Sequence, residues 1–541
     1  MFPGREDAVS RTSLTTPAGS LPPAAAPSQT GGHAVPRVVK WAIITATLGA
    51  VGLRFYELSR PGYLLGITEY DDGTDFGSAV RLVHGALPYR DFIMVQPPGI
   101  TLLMVPVAAA TKALGTAAGM TAGRVLTALA SAAAVPLIGL LTRHRGLIAV
   151  IASCGMLAIF PDSLTAARTV LLEPWLVLFC LLGALAVFDG DRLAGPGRQF
   201  LGGLAFGFAG AVKVWAILPV AVIAGLTIRR PRQAAAYIAG VAAGFAVPVL
   251  PFAWTAPGTF YHSVVIAQLV RSDIGRIPLA YRLQHMMGMN HLPALRTPAL
   301  IIIGTAVIMI IAVTVLLVSR LTDTTPPPLD WFAIAATVLV VAAFLWPADF
   351  YNHYAAFLAP FLALALALPV SRLIAALAPG EARQRGAILL RRSVTMAAAL
   401  VILVLATFQG IAESRLASAF PATDISAAKR MIRPDACVVT DQVSYTIMVN
   451  RFVSADPGCS LMVDGVGSDY ALSNGHNGLT GAARTPAVQA LWWSSFRAAQ
   501  YVWLTGDADR RIPWTRQLRA YLSEHFRPLT HGPAWIYVRS R

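Results

Sequence analysis

The sequence predicts an α-helical polytopic membrane protein with a small α/β domain at its C-terminal end. Of its 541 residues, 56% are hydrophobic and only 13% are charged, whereas soluble domains carry about 25% charged residues. Long apolar segments succeed one another from residue 38 to residue 411, and a composition typical of a soluble domain begins near residue 412. The net charge of +16 does not indicate nucleic-acid binding, because the arginines fall in short clusters between apolar segments.

Residues 1–36 precede the apolar region and are rich in Pro, Ala, Gly, Ser and Thr. They contain no apolar run that could form a core or the hydrophobic region of a signal peptide, so we expect a disordered cytoplasmic segment. Arg37 and Lys40 stand at the start of the first span, about Val38 to Leu58. Because basic residues favour the cytoplasmic side, the loop over residues 59–120 is predicted to be extracytoplasmic.

The later spans are assigned by length and by the positions of the arginines. Residues Ile100 to Leu114 are too few to cross a hydrocarbon core, which takes about 20 residues, so we expect a juxtamembrane helix there. With this choice, the cluster Arg143-His144-Arg145 and most later arginine clusters fall on the cytoplasmic side of about eleven spans. The ten spans after the first are predicted at about 121–141, 146–159, 171–188, 200–212, 215–228, 234–253, 298–318, 331–345, 354–370 and 394–409.

The first outer loop concentrates acidic residues in a chain with 27 acidic residues and 43 lysines and arginines. Apolar residues at helical spacing, Phe76, Val80, Val83 and Leu87, predict a short amphipathic helix at the membrane surface. Such a concentration of carboxylates is more than packing requires. The acidic residues of this loop are Glu69, Asp71, Asp72, Asp75 and Asp91.

Three stretches of this loop, YDDG (70–73), RLVHGALPYRDF (81–92) and QPPG (96–99), resemble the first extracytoplasmic loop of GT-C glycosyltransferases. These multispanning enzymes, which include protein O-mannosyltransferases and aminoarabinose transferases of lipid A, take a sugar from a polyprenyl-phosphate carrier. Their loop has Asp-Glu before a short helix and Pro-Pro before the next one. This chain has Asp71-Asp72 in the first place. The resemblance is closest to actinobacterial envelope enzymes that transfer mannose or arabinofuranose.

Transfer of a sugar to a hydroxyl group requires a base for the acceptor proton. The pair Asp71 and Asp72 suits this task, since a carboxylate beside another at an interface of lowered dielectric has a raised pKa. The alternative is that one of the two caps a helix beginning near Thr74. We expect one to cap and one to act, and the resemblance assigns the catalytic role to Asp71.

The reaction also requires cations that hold the departing phosphate. Lys213 interrupts an apolar run at the outer end of its span, and the resembling enzymes have a lysine near this point; its alternative is snorkelling to the interface. The outer loop over residues 254–297 offers further candidates, for which a solvated surface or contact with anionic lipid is the alternative. These candidates are Arg271, Arg276, Arg282 and His285.

Two further polar clusters lie at predicted outer ends of spans. Arg168 and Glu173 stand where the resembling enzymes have a polar pair, and the alternative is an ion pair between them. Tyr351, His353 and Tyr354 head an inward span, where they either contact sugar or phosphate or form an interfacial aromatic belt. All five are candidate substrate-binding residues.

Residues 412–541 predict a small extracytoplasmic α/β domain, which either binds the acceptor or braces the active site. We expect strands at 436–440, 460–464, 501–505 and 534–540, and helices at 426–432 and 487–499. Cys437 and Cys459 form a disulfide if the domain is exported, or are unrelated thiols. No cysteine or histidine spacing indicates zinc, and two carboxylates are too few to infer another metal.

The resemblance implies a glycosyltransferase of a bacterial inner membrane. Its donor substrate is a polyprenyl-phosphate sugar, with mannose or arabinofuranose favoured, and its acceptor is an envelope glycan, lipid or protein. No cofactor is implied with certainty, and the sequence does not decide a divalent metal. Two other classes are a transporter or flippase for lipid-linked sugars, which typically has paired repeats and broken mid-membrane helices, and a non-catalytic envelope assembly protein, which would not need Asp71-Asp72.

Overall fold

A computed structural model describes residues 36–270, 276–292, 295–377, 384–419, 425–475, 478–530 and 534–540. The segment expected to be disordered, residues 1–36, lies outside these ranges except for its last residue. Within the described residues the chain is mostly helical, and strands occur mainly towards the C-terminal end.

The membrane region extends from helix α1 to helix α18. Its helices are α1 (Arg37–Leu58), α2 (Tyr70–Val83), α3 (Gly99–Ala109), α4 (Thr111–Leu114), α5 (Thr116–Thr142), α6 (Leu147–Ile159), α7 (Pro161–Ala167), α8 (Leu172–Val187), α9 (Pro196–Val212), α10 (Ile217–Thr227), α11 (Pro231–Ala253), α12 (Pro257–Tyr261), α13 (Ala267–Val270), α14 (Leu279–Met286), α15 (Thr297–Thr322), α16 (Pro328–Leu345), α17 (Ala355–Ala376) and α18 (Gln384–Ala419). A short hairpin of β1 (Phe188–Asp189) and β2 (Arg192–Leu193) joins α8 to α9.

Seven of these helices are long and apolar enough to cross a membrane: α1, α5, α11, α15, α16, α17 and α18. An eighth candidate is the pair α6 and α7, which is bent by 53°. The other predicted spans correspond to the shorter helices α8, α9 and α10. The helical membrane fold is therefore confirmed, while the count of eleven spans stays a prediction. Helices α3 and α4, of 11 and 4 residues, are too short to span, as expected for residues 100–114.

Two features of the sequence explain local details of the bundle. Proline occupies the first turn of α7, α9, α11, α15 and α16, where its missing N–H group leaves no hydrogen bond unmade. Glycines at spacing i, i+4 bring α9 and α11 into close contact, as in small-residue packing of membrane helices. A Cβ atom at Gly203 would lie 2.3 Å from the carbonyl oxygen of Tyr237, so the two backbones could not approach this closely with a side chain there.

One end of the bundle, which we call the basic end, contains the loops that follow α5 and α8, the start of α16 and the last turns of α17. Arg145 lies 2.7 Å from Asp191 and 2.9 Å from Asp330, and Arg372 lies 3.2 Å from Asp330. His144 also contacts Asp191, at 2.7 Å. These segments, which were all predicted to lie on the cytoplasmic face, are therefore close together in the structure.

The C-terminal part contains a four-stranded sheet of β3 (Val438–Thr440), β4 (Tyr501–Thr505), β5 (Phe526–Pro528) and β6 (Ala534–Arg539). The strand order is β3-β4-β6-β5; β3 is parallel to β4, and the other pairs are antiparallel. The helices around it are α19 (Ser426–Met431), α20 (Val443–Met448), α21 (Gly465–Ser473), α22 (Gly478–Ala482), α23 (Pro486–Ala498), α24 (Ala508–Arg511) and α25 (Arg516–His525).

The expected elements of this domain are present with one exception. No strand forms at residues 460–464. Instead, the side chain of Asp464 accepts a hydrogen bond of 2.7 Å from the backbone N–H of Gly467 and caps α21, since aspartate competes well at helix starts. Cys437 and Cys459 form a disulfide, which ties the start of β3 to the loop before α21.

Candidate active site

Helix α2 carries the acidic cluster and differs from the sequence prediction in its start and in its surroundings. It begins at Tyr70, not near Thr74, so Asp71 and Asp72 lie in its first turn. Residues 72–81 are buried rather than at an open membrane surface, because the C-terminal domain covers the helix. Gly73 permits this contact, since a Cβ atom there would lie 2.4 Å from the backbone nitrogen of Ser444.

Hydrogen bonds join α2 to the C-terminal domain along its length. Near its start, the side chains of Gln442 and Ser444 each donate a bond of 3.0 Å to the carbonyl oxygen of Glu69. The Tyr70 hydroxyl donates a bond of 3.0 Å to Asp464. Near its end, Arg81 donates to the carbonyl oxygen of Ser460. The acidic helix and the C-terminal domain therefore share one end of the bundle.

Asp72 is fully buried and holds the helix to the bundle. Its Oδ2 atom accepts hydrogen bonds from both the Nε and Nη2 atoms of Arg124, with Nε at 3.0 Å, and its Oδ1 atom accepts a bond of 2.8 Å from the Val170 N–H. The expectation that one of the two aspartates caps the helix is wrong, because the cap position is Glu69 and makes no side-chain cap bond. Asp72 pairs with a buried arginine that the sequence pattern gave no reason to place there.

The side chain of Asp71 points away from Arg124 and towards a cavity beside the helix. This side chain is 45% exposed, and its carboxylate lies 3.8 Å from the Nε2 atom of His353. Successive side chains on a helix diverge by roughly 100°, so the burial of Asp72 directs Asp71 into the open space beside the helix. Asp71 therefore reaches a cavity that Asp72 does not line.

A buried cluster backs Asp71 on the side of the spans. Lys213, which ends α9, lies 2.5 Å from Glu173 at the start of α8. The other ring nitrogen of His353, Nδ1, lies 3.1 Å from Glu173. The Lys213 ammonium also sits 3.8 Å and 4.4 Å from the ring centres of Trp215 and Tyr354, an arrangement that stabilises a cation.

The cavity beside Asp71 has a volume of about 340 Å³ and lies between the bundle and the C-terminal domain. The bundle contributes Asp71, Asp75, Lys213, Tyr351, His353 and Tyr354, together with Leu172 and Gln96. The domain contributes Asp464, Asp469, Tyr470, Ser473, Asp507, Arg510 and Arg511. Both parts of the chain are therefore needed to close it.

Several predicted site residues have partners outside this cavity. Arg282 donates to the carbonyl oxygens of Ile277, Phe344 and Ala348, and Arg276 donates to that of Leu345. These bonds hold residues 276–282 against the end of α16 and the segment that follows it. These contacts do not favour substrate binding by Arg276 and Arg282, which stays a prediction. Arg271 lies outside the described residues.

Two further candidates are also occupied elsewhere. His285 lies 2.9 Å from the buried carboxylate of Asp162. The Arg168 guanidinium stands 4.2 Å from the ring centre of Tyr63, while Glu173 is bonded by Lys213. Neither Arg168 nor His285 lines the cavity, so their predicted role in substrate binding gains no support.

Sequence reasoning missed the contribution of the C-terminal domain. Asp464 ends the stretch 460–464 that was predicted to be a strand, and Asp469 lies beyond it, so the prediction gave no reason to place either residue on a cavity wall. Asp75 could have been found, because it follows Asp71 by one helical turn and so shares its face. Burial raises the pKa of Glu69, and raises the pKa values of Asp75 and Asp469 well above their usual range.

Among the described residues, no group of three or more His, Cys, Asp or Glu side chains is placed to hold a metal ion. The polar groups of the cavity are instead carboxylates, one lysine, one histidine, two arginines and several tyrosines, with Asn352, Gln96, Thr74 and Ser473 between them. Such a set can bind a polar substrate, transfer a proton and stabilise an anionic leaving group.

A helical membrane bundle with an acidic helix and a soluble C-terminal domain is the fold expected from the resemblance to GT-C glycosyltransferases. The comparisons with known proteins agree. The model of glycosyltransferase family 87 matches residues 95–347, which include Lys213 and Glu173 but not the acidic helix. The resemblance to GT-C glycosyltransferases is thereby confirmed.

Solved structures share the fold at low sequence identity. ArnT from Cupriavidus metallidurans bound to undecaprenyl phosphate matches with a TM-score of 0.57 and 13% identity, over 92% of this chain and 98% of that one. The Archaeoglobus fulgidus oligosaccharyltransferase in complex with Zn and sulfate matches with a TM-score of 0.51 and 14% identity, over 92% of this chain and 73% of that one. A search of curated protein sequences gave no match.

Proposed function

We propose that the chain is a membrane glycosyltransferase that transfers a sugar from a polyprenyl-phosphate donor to a hydroxyl group of a cell-envelope acceptor. The observation that carries the proposal is the unequal setting of two adjacent carboxylates. Asp72 is fully buried against Arg124, whereas Asp71 faces a polar cavity beside His353 and Lys213. A scaffold would have no need to keep one carboxylate of the pair open.

In the proposed reaction Asp71 accepts the proton of the acceptor hydroxyl while the hydroxyl oxygen forms a bond to the anomeric carbon of the donor sugar. The bond between that carbon and the phosphate oxygen breaks, and the phosphate leaves with its electron pair. A base in such a position accounts for about 10²- to 10⁴-fold of the rate. Its carboxylate needs access to substrate, which the 45% exposure of the Asp71 side chain provides.

Lys213 and His353 are proposed to receive the leaving phosphate. Both line the cavity on the wall formed by the spans, where a polyprenyl chain would remain in the bilayer while its phosphate enters the cavity. Glu173 bonds Lys213 from behind and so fixes the position of the ammonium. Preorganised cations stabilise charge that develops in a transition state without reorganising. Undecaprenyl phosphate is the ligand in the similar ArnT structure.

We further propose that the cavity opens on the extracytoplasmic face of a bacterial inner membrane. The basic end is the other end of the bundle, and basic loops favour the cytoplasm. A disulfide in the C-terminal domain fits an exported location, where disulfides persist. Cysteines introduced at the exposed positions Ser523 and Lys112 would both react with an impermeant thiol reagent in intact spheroplasts, whereas reaction only after lysis would reverse the orientation.

The sugar is proposed to be mannose or arabinofuranose, as the loop resemblance implies, and the acceptor to be a glycan, lipid or protein of the envelope. Purified protein would be incubated with radiolabelled polyprenyl-phosphate mannose and polyprenyl-phosphate arabinofuranose beside envelope glycan acceptors. Transfer that is lost in Asp71→Asn supports the proposal. Movement of intact donor across proteoliposomes without cleavage would instead identify a flippase, and neither activity would leave an assembly protein.

A further inference from the structure

Two buried carboxyl groups that line the cavity each have an oxygen without a hydrogen-bond partner in the described part of the chain. The Oδ2 atom of Asp75 and the Oδ2 atom of Asp469 are both buried and accept or donate no hydrogen bond within the described structure. Both residues line the cavity, although each residue is at most 3% exposed. A buried polar atom without a partner costs free energy, so each such atom requires an explanation.

The two groups come from different parts of the chain. Asp75 lies on α2 one turn after Asp71, and Asp469 lies on α21 of the C-terminal domain. The remaining Oδ1 atom of Asp469 accepts a hydrogen bond of 2.9 Å from the Trp492 indole N–H, which fixes the orientation of its carboxyl group. Asp464, between them, is held by Tyr70 and by its own helix cap. The unpartnered oxygen of Asp469 is therefore held in place.

We propose that Asp75 and Asp469 form a subsite that hydrogen-bonds the hydroxyl groups of an uncharged acceptor sugar. This inference rests on the proposed function and assigns the acceptor to the part of the cavity between α2 and the C-terminal domain. The phosphate of the donor belongs with Lys213 and His353 on the wall of the spans, and Asp71 must stand between the two substrates. The acceptor then lies towards the C-terminal domain.

The charges of the cavity favour an uncharged acceptor over an anionic one. Its walls carry six acidic side chains, and of the two arginines on the domain side, Arg511 is already bonded to Asp441, Gln442 and Asp507. The acidic side chains are Glu69, Asp71, Asp75, Asp464, Asp469 and Asp507. A phosphate or uronate would be repelled by the ionised carboxylates of this set, whereas neutral hydroxyl groups would complete the hydrogen bonding that Asp75 and Asp469 lack.

Burial also determines which substitutions retain the subsite. It raises the pKa values of Asp75 and Asp469 well above their usual range, which favours the protonated carboxyl group, and a protonated carboxyl group can donate as well as accept a hydrogen bond. Asparagine offers the same uncharged donor and acceptor in the same space. Alanine offers neither, and sites built around substrate hydroxyls discriminate strongly when a polar partner is missing.

Binding of neutral probes tests the subsite without requiring turnover. Calorimetry on the full chain in detergent would use octyl α-mannopyranoside, octyl arabinofuranoside and octyl mannopyranoside 6-phosphate. We expect at least one neutral probe to bind about tenfold or more tightly than the phosphate, with Asp75→Ala and Asp469→Ala weakening it by about tenfold or more. Asp75→Asn and Asp469→Asn should stay within about threefold of wild type.

Asp509→Asn is the control, because Asp509 lies in the same domain, pairs with Arg519 at 2.8 Å and does not line the cavity. Asp75→Ala keeps the test independent of folding effects around Trp492. Equal binding in wild type and both alanine variants, or preference for the phosphate probe, would overturn the inference. So would asparagine variants that bind as weakly as the alanine variants.

A kinetic arm separates the acceptor from the donor. In the alanine variants the KM for the neutral probe should rise by a larger factor than the KM for the labelled donor. A rise in donor KM with an unchanged probe KM would show that Asp75 and Asp469 bind the donor, and it would refute the acceptor subsite. If wild type cleaves neither donor but binding follows the expected pattern, the proposed glycosyl transfer fails while the sugar subsite stands.

Discussion

At the basic end of the bundle, buried carboxylates are matched by cations, whereas at the cavity end carboxylates outnumber their partners. Asp330 is 1% exposed and lies within ion-pair distance of both Arg145 and Arg372. At the cavity, Asp75 and Asp469 are as deeply buried, yet each has an oxygen without a partner. Buried polar groups with a structural role have partners within the protein, whereas groups that bind a substrate keep hydrogen-bonding positions available for it.

The same contrast occurs within one helical turn of α2. Asp72 pairs with the buried Arg124, as Asp330 pairs with arginines at the basic end, whereas Asp71 is exposed to the cavity. Adjacent residues of identical chemistry therefore have different roles because the helix directs them to different surroundings. The predictions below test whether matched and open carboxylates fail in different ways.

The largest effect is expected for Asp71→Asn. Asparagine keeps the size of the side chain but does not act as a base, so turnover should fall by about 10²- to 10⁴-fold with donor binding retained. Asp91→Asn is a control from the same loop, because Asp91 pairs with Arg90 away from the cavity. Turnover and donor binding would be measured in detergent. Near wild-type turnover of Asp71→Asn would remove it as the base and with it the main chemical support for this class.

Asp330→Asn should affect stability and spare activity. Removing one partner of a buried ion pair costs about 3–5 kcal/mol, and here Arg145 and Arg372 would lose the carboxylate that lies between them. We expect a lower melting temperature in detergent with unchanged turnover per folded molecule. Asp323→Asn, at an exposed helix end with positive φ, should leave the melting temperature unchanged. A loss of turnover without loss of stability would contradict the division between the two ends.

Lys213→Met should raise the donor KM by about tenfold to 100-fold, the effect of losing a hydrogen bond to a charged group of about 1.5–3 kcal/mol. Methionine keeps the packing against Trp215 but carries no charge. Lys112→Met, on the exposed helix α4, is the matched control. A variant with unchanged donor KM and rate would exclude Lys213 from the donor site. A lower melting temperature alone would assign it to pairing with Glu173.

The helical fold could be predicted from the sequence, because a bilayer requires long apolar helices and basic loops favour one side of it, and both features can be read from short segments. It also supplied the acidic loop, Lys213 and the cluster around His353, all of which interrupt an apolar pattern. It did not supply Arg124 as the partner of Asp72, since that contact joins residues 52 positions apart. Nor did it supply the wall formed by α21, because the register of a soluble domain against a membrane bundle depends on contacts such as Gly73 with Ser444.

The smallest effect concerns the dependence of stability on pH at Asp469. Burial raises the pKa of Asp469 well above its usual range of about 3.8, so between the two pKa values the folded protein holds a proton that the unfolded chain has released. The contribution of this group to the stability of the wild type is therefore largest below about pH 4 and is lost as pH rises towards the raised pKa.

Asp469→Asn does not titrate and keeps the bond from Trp492. Its melting temperature relative to wild type should increase by a few degrees between pH 4 and pH 8, while Asp509→Asn, at an exposed pair, should show no such change. A difference that stays constant over this range would mean that Asp469 is ionised in the folded protein. Its carboxylate would then be matched by a cation after all, in the manner of Asp330.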